Sequence, residues 1–173
     1  MTRKLIFSAA MSLDGYIADR DDGYAWILGD GNHALDTLEK WDYPAFLSTI
    51  DTVIMGRRCY ELGQHNDFKD QRVIVASTHP ITDPQVRFTP DPISTLKALK
   101  AQEGKDIFLF GGAKLTQSCL KENLIDVFIL GIVPVILGQG IRLFEESPII
   151  PLHLTKQTIE EGLVILHYVK RPV

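Results

Sequence analysis

Four short apolar runs constrain this chain more than any other feature. Leu5 to Met11, Thr52 to Met55, Arg72 to Ala76 and Ile107 to Phe110 are rich in Ile, Val, Leu and Phe, and each ends at small or polar residues. Runs of this length bounded by turn residues read as buried strands. The segments between them carry helical spacing. Leu35, Leu38, Trp41, Phe46, Leu47 and Ile50 predict a helix over residues 34–50, bent or broken before Pro44. Short helices are expected over 59–63, over 93–102 with Asp91 or Pro92 at its start, and over 113–123. Strands alternating with helices predict a largely parallel sheet. Later, Val127 to Val135 is strongly apolar, and Thr155 to Ile159 with Val164 to Val169 predicts a terminal hairpin across Glu161-Gly162. The expected fold is therefore α/β, a mostly parallel central sheet flanked by helices with an antiparallel C-terminal edge.

The chain has 173 residues and no repeat, linker or low-complexity segment, so a single domain over 1–173 is expected. Its net charge of −4 gives no reason to expect nucleic acid or an anionic membrane as partner. Cys59 and Cys119 form neither a close pair nor a metal-ligand spacing, which fits a reducing compartment. Leu5 to Met11 is too short for a signal-peptide core, and no other run is long enough to span a bilayer, so a cytoplasmic location is expected. Among His33, His65, His79, His153 and His167 no pair has helical metal spacing, and no metal site is expected.

In open α/β sheets, ligands bind beyond the carboxyl ends of the strands. Three segments here run from strand through small or polar residues into helix: Gly56-Arg57-Arg58, Ala76-Ser77-Thr78 and Gly111-Gly112-Ala113-Lys114. Glycine permits close backbone approach, helix starts favour phosphate, and arginine adds a bidentate cationic fork. Each alone also reads as an ordinary turn. Neither G-x-G-x-x-G after the first strand nor the Walker lysine loop is present; Gly138-Gln139-Gly140 lacks the later glycine.

The order of the segments Ala10-Met11-Ser12-Leu13-Asp14-Gly15-Tyr16-Ile17-Ala18, Val53 to Glu61, Val75-Ala76-Ser77, Leu109 to Leu115 and Val133 to Phe144 resembles the dihydrofolate reductase-like superfamily. Within it the sequence is most similar to the riboflavin-biosynthesis reductase group, found also as the C-terminal domain of bifunctional deaminase-reductases. The resemblance implies that Ala10, Ile17 and Ala18 frame a nicotinamide and that Gly56, Arg57, Arg58 and Cys59 meet an adenosine 2′-phosphate, favouring NADPH. It further implies that Ser77 and Thr78 lie against the adenosine. Gly111 and Gly112, often cis-linked in such proteins, would turn the chain toward the pyrophosphate, with Ala113, Lys114, Leu115 and Thr116 in contact. Cys59 stands where the family usually has threonine, and a thiol is the weaker hydrogen-bond partner.

The substrate side is less marked. Asp42-Tyr43-Pro44-Ala45-Phe46 resembles the acid-x-x-x-Phe pattern of folate-reducing relatives, which makes Asp42 the candidate proton donor and Phe46 a candidate substrate contact. A carboxyl buried beside Trp41 and Phe46 would suit that role; Asp42 equally reads as a helix cap. Trp26 either covers substrate or packs in the core. Arg142 either meets a substrate phosphate or braces its loop. Asp36 and Glu39 read as a solvated helix face. The implied activity is NADPH-dependent reduction of a pteridine- or pyrimidine-like small molecule, best matched by 5-amino-6-(5-phosphoribosylamino)uracil reductase. Dihydrofolate reduction and a non-catalytic NADPH-binding sensor module are the alternatives. No deaminase or zinc motif accompanies it. The resemblance and the apolar stretch from Val127 to Leu137 also suggest a homodimer.

Overall fold

The computed structural model describes residues 3–80, 82–145 and 147–171. In chain order the elements are β1 (Leu5–Ser12), β2 (Tyr16–Ala18), α1 (Tyr43–Ser48), β3 (Ile50–Gly56), α2 (Arg57–Glu61), a 3-10 turn (Gln64–Asp67), β4 (Arg72–Ala76), β5 (Val86–Thr89), α3 (Pro92–Lys100), β6 (Asp106–Gly111), α4 (Ala113–Lys121), β7 (Val127–Val133), β8 (Ile141–Arg142), β9 (Leu152–Glu160) and β10 (Leu163–Lys170). Eight strands form one sheet in the order β5-β4-β3-β6-β1-β7-β10-β9, and β2 pairs with β8 separately. The pairs β1/β6, β3/β6, β3/β4 and β4/β5 are parallel, whereas β7/β10 and β10/β9 are antiparallel. This is the expected sheet with its antiparallel edge.

The chain divides into two compact units, one of residues 1–7 and 43–126, the other of 8–42 and 127–173. In the first, the apolar runs are central strands. Val53, Ile54, Met55, Val75, Ile107, Phe108 and Leu109 are essentially inaccessible to solvent. Strands covered on both faces need continuous apolar sequence, which is why alternation is missing from them. Phe108 packs edge-on against Phe46, Phe68 and Phe110. Helix α3 starts where its caps dictate: Asp91 accepts the Ser94 N–H at 3.0 Å and Pro92 occupies the first turn. Arg3 is buried, its guanidinium paired with Asp51 and donating to the Thr52 hydroxyl (2.9 Å) and the Lys105 carbonyl (2.6 Å).

The second unit holds the terminal hairpin and a long loop over residues 19–42. Residues 34–42 are not helical, and the helix expected over 34–50 is confined to Tyr43–Ser48. Leu35 and Leu38 are exposed rather than forming a core face. Tertiary hydrogen bonds override the helical spacing here. Thr37 N–H donates to the Ile159 carbonyl (3.0 Å), the Ile159 N–H donates to the Thr37 hydroxyl (2.9 Å), and the Glu161 N–H donates to Asp36 (2.8 Å). Asp36 also pairs with His33 and Lys40, and Glu39 with Lys156, so neither acid lies on a solvated helix face. The hydrogen bonds from Lys40 and His33 hold the Asp36 carboxyl well below the usual range. The irregular segment of residues 30–40 is thus strapped to the hairpin of β9 and β10. The short strands β2, β5 and β8 are further elements that no periodicity announced.

Candidate functional site

The site candidates in the first unit sit at the carboxyl ends of three neighbouring parallel strands. The register pairs Gly56 of β3 with Ala76 of β4, and Met55 of β3 with Gly111 of β6. Adjacent strands lie about 5 Å apart, so the three strand ends form one continuous rim; β3 and β6 lead directly into helices, whereas Ser77-Thr78 opens a loop to β5 in place of the expected helix. Gly56, Arg57, Arg58, Cys59, Ser77, Thr78 and Gly111 to Thr116 are all brought to it.

On the β3 side, Arg57 and Arg58 are exposed in the first turn of α2. Arg57 Nε donates to Glu61 at 2.7 Å and its Nη1 donates to the Ser77 hydroxyl at 3.3 Å. Ser77 Oγ in turn donates to the His79 carbonyl (2.8 Å) and accepts the His79 N–H (3.1 Å). The arginine side chain is therefore bound at two points and spans β3 and β4. Cys59 is half-buried in the same helix; Thr78 is exposed beside His79.

On the β6 side, Gly111 has φ 130° and Gly112 caps α4 with no side-chain hydrogen bond. No cis peptide bond occurs among the described residues, so the cis linkage expected at Gly111–Gly112 is not found. A Cβ at either glycine would meet nothing within 4 Å; Gly111 itself is buried, and the half-buried Gly112 leaves backbone within reach of a ligand. The first N–H groups of α4 lack intrahelical partners, as at any helix start. Behind them Thr116 is fully buried, and its Oγ1 has no hydrogen-bond partner. Lys114 is exposed, and Ala113 and Leu115 carry the backbone N–H groups of the first turn. An open glycine turn, an uncapped helix and an orphaned hydroxyl fit an anionic group such as a pyrophosphate. Phe46 lies in this unit's core against Phe108. Cys119 is buried, which pushes its thiol up to about 12 and leaves no nucleophile there.

The second unit carries Ala10, Ile17, Ala18, Trp26, Asp42 and Arg142. Ala10 is in β1, and Ala18 pairs with Ile141 across β2 and β8. A Cβ at Gly140 (φ 141°) would collide with the Ala18 carbonyl oxygen, so glycine alone fits at that approach. Trp26 donates from Nε1 to Gly23 O at 3.1 Å, folding onto its own loop. The Arg142 guanidinium stacks over the Tyr16 ring at 4.8 Å, which braces β8 on β2. Asp42 is exposed, and Trp41 packs edge-on against His167 instead of sheltering it. The burial expected around that carboxyl is absent.

Two residues with clear roles carried no expectation. One is Glu61, whose spacing of four from Arg57 on a helix was the available signal. The other is Asp14, which accepts from the Ser12 hydroxyl (2.6 Å) and the Leu137 and Gly138 N–H groups (3.1 and 2.7 Å), tying the first turn to residues 137–138. The Ser12 hydrogen bond, with those two N–H groups, lowers its pKa to about 2. A carboxylate depressed in the folded state stabilises above its unfolded pKa, about 3.9. That contribution disappears as pH falls through about 2. Between those limits the wild type should lose stability more steeply than Asp14→Asn in pH-resolved chemical denaturation; equal slopes would refute the role.

No helix among the described residues is long and apolar enough to cross a membrane, and they contain no cluster of metal-ligating side chains. Residues 3–164 match the family model of the RibD C-terminal domain. The chain is similar to YwjB of Bacillus subtilis (strain 168), at 35% identity over 98% of this chain and 99% of that one. It also superposes on a candidate riboflavin biosynthesis protein from Shewanella sp. PV-4, with a TM-score of 0.79, 25% identity, and coverage of 99% and 100% of the two chains. Dihydrofolate reductase from Enterococcus faecalis, solved with NADP(H), shares the fold at a TM-score of 0.69 and 14% identity, covering 99% of this chain and all of that one. The match over nearly the whole chain shows that it belongs to the RibD C-terminal domain family, on the dihydrofolate reductase-like fold.

Proposed function

We propose that this chain is an NADPH-dependent reductase of a pteridine- or pyrimidine-like small molecule, in its best-defined form a 5-amino-6-(5-phosphoribosylamino)uracil reductase. The observation that carries the reading is the rim itself. Arg57 is held across β3 and β4, beside a glycine turn and helix start whose Thr116 hydroxyl lacks a partner. NADPH bound there would supply hydride to a C=N or C=O bond. Arg57 and Arg58 would hold the 2′-phosphate, and the α4 backbone with Lys114 and Thr116 the pyrophosphate. Ala10, Ile17 and Ala18 would frame the nicotinamide. Asp42 is the proposed proton donor, with Trp26 and Arg142 as proposed substrate contacts; Phe46, packed on Phe108 in the core, is not one.

The exposure of Asp42 favours one second reading, a module that binds NADPH without turning it over, because reduction chemistry is usually shielded from water. Loss of reduced-nicotinamide absorbance distinguishes the two. NADPH should be oxidised with the ribosylaminouracil phosphate, and more slowly or not at all with dihydrofolate. NADPH binding without oxidation across uracil and pterin substrates would overturn the reductase reading in favour of the module.

A further inference from the structure

We infer that Glu61 is a positioning residue for nucleotide selection, acting through Arg57; the inference rests on the proposed 2′-phosphate role of that arginine. The ion pair is exposed, with side-chain accessibilities of 44% for Arg57 and 43% for Glu61. Pairs of this kind add little to stability, so its worth lies in geometry. Glu61 occupies Arg57 Nε at 2.7 Å, and Ser77 occupies one Nη1 hydrogen at 3.3 Å. A guanidinium has five N–H donors in a rigid plane. Fixing Nε and Nη1 sets that plane and leaves the remaining Nη hydrogens for an anion.

Ser77 adds to the case. Its hydroxyl already donates to the His79 carbonyl and accepts from both the His79 N–H and Arg57. With its one hydrogen and both lone pairs engaged, it has no donor left for a phosphate. It serves as an anchor for Arg57 and for the loop after β4. Glu61 and Ser77 together form a two-point clamp, and Glu61 supplies the stronger, charge-assisted arm. Arg58 Nη1 lies 4.0 Å from the same carboxylate, so Glu61 stands between both arginines of the motif.

The carboxylate also repels a bound phosphate, and the test must separate charge from position. Glu61→Gln and Glu61→Ala both remove the charge; only Gln keeps an oxygen that can accept from Arg57 Nε. Calorimetric titration of each full-length variant with adenosine 2′,5′-bisphosphate and with adenosine 5′-monophosphate therefore reads position alone. Glu61→Ala should bind the bisphosphate about three- to tenfold more weakly than Glu61→Gln, the worth of one ordinary hydrogen bond. The two variants should bind the monophosphate alike. Equal bisphosphate affinities for the two variants, or the same difference on both nucleotides, would overturn the positioning role. A wild type with no preference for the bisphosphate would instead overturn the 2′-phosphate assignment to Arg57, and this inference with it.

Discussion

Replacing Arg57 with alanine is expected to weaken NADPH binding by roughly 10- to 100-fold while changing NADH binding little. The magnitude follows from losing hydrogen bonds to a charged phosphate, worth about 1.5–3 kcal/mol together, at 1.4 kcal/mol per factor of ten. The selectivity follows from position. Arg57 reaches across the ends of β3 and β4, and its anchors, Glu61 and Ser77, lie on the same side of the rim. The glycine turn before α4, which would hold the pyrophosphate common to both cofactors, is a separate segment that the substitution leaves intact. Equilibrium titration with both cofactors checks this. Equal losses for NADPH and NADH would show that Arg57 does not read the 2′-phosphate.

The second large effect concerns stability. Asp51→Ala should destabilise the fold by about 3–5 kcal/mol, because it strands a buried guanidinium. Arg3 has a side-chain accessibility of 1%, whereas that of Asp51 is 33%. Burial works to raise the Asp51 pKa, but the Thr52 hydroxyl, the Lys105 N–H and the Arg3 charge hold it below its ordinary value. The aspartate remains ionised beside the arginine at neutral pH. Removing it leaves Arg3 with only the Thr52 hydroxyl and the Lys105 carbonyl. Arg3→Met should cost distinctly less, since it substitutes apolar volume and leaves behind the partner that water can reach. Urea unfolding of the two variants measures the difference, and a Tm lower by roughly 10 °C should accompany Asp51→Ala. A cost below about 1 kcal/mol for Asp51→Ala would contradict the buried-charge account.

Much of this architecture was legible because its causes are local. The runs around Ile54, Ile74 and Leu109 become central parallel strands, since only uninterrupted apolar sequence tolerates cover on both faces. Asp91 and Pro92 mark the start of α3, and Gly111-Gly112 marks the turn into α4, through chemistry carried by those residues themselves. Residues 34–42 show the opposite case. Leu35, Leu38 and Trp41 have helical spacing, yet Asp36 and Thr37 find partners at Ile159 and Glu161, more than a hundred residues away. Spacing cannot report such partners. The same holds for β2 and β8, which are too short for periodicity and exist through each other. On the site, the turns proposed to face phosphate stand out because glycine and arginine chemistry is readable residue by residue. The surroundings of Asp42 were not, because burial belongs to the tertiary fold: Trp41 packs edge-on against His167, and Asp42 is exposed.

NADPH is proposed to lie on the rim formed by the ends of β3, β4 and β6. Titration of the wild-type protein with NADPH and with NADH, followed by cofactor fluorescence, tests it most directly. Saturable binding of NADPH, at least about tenfold tighter than NADH, is expected. Binding of neither cofactor, or equal binding of both, would contradict it.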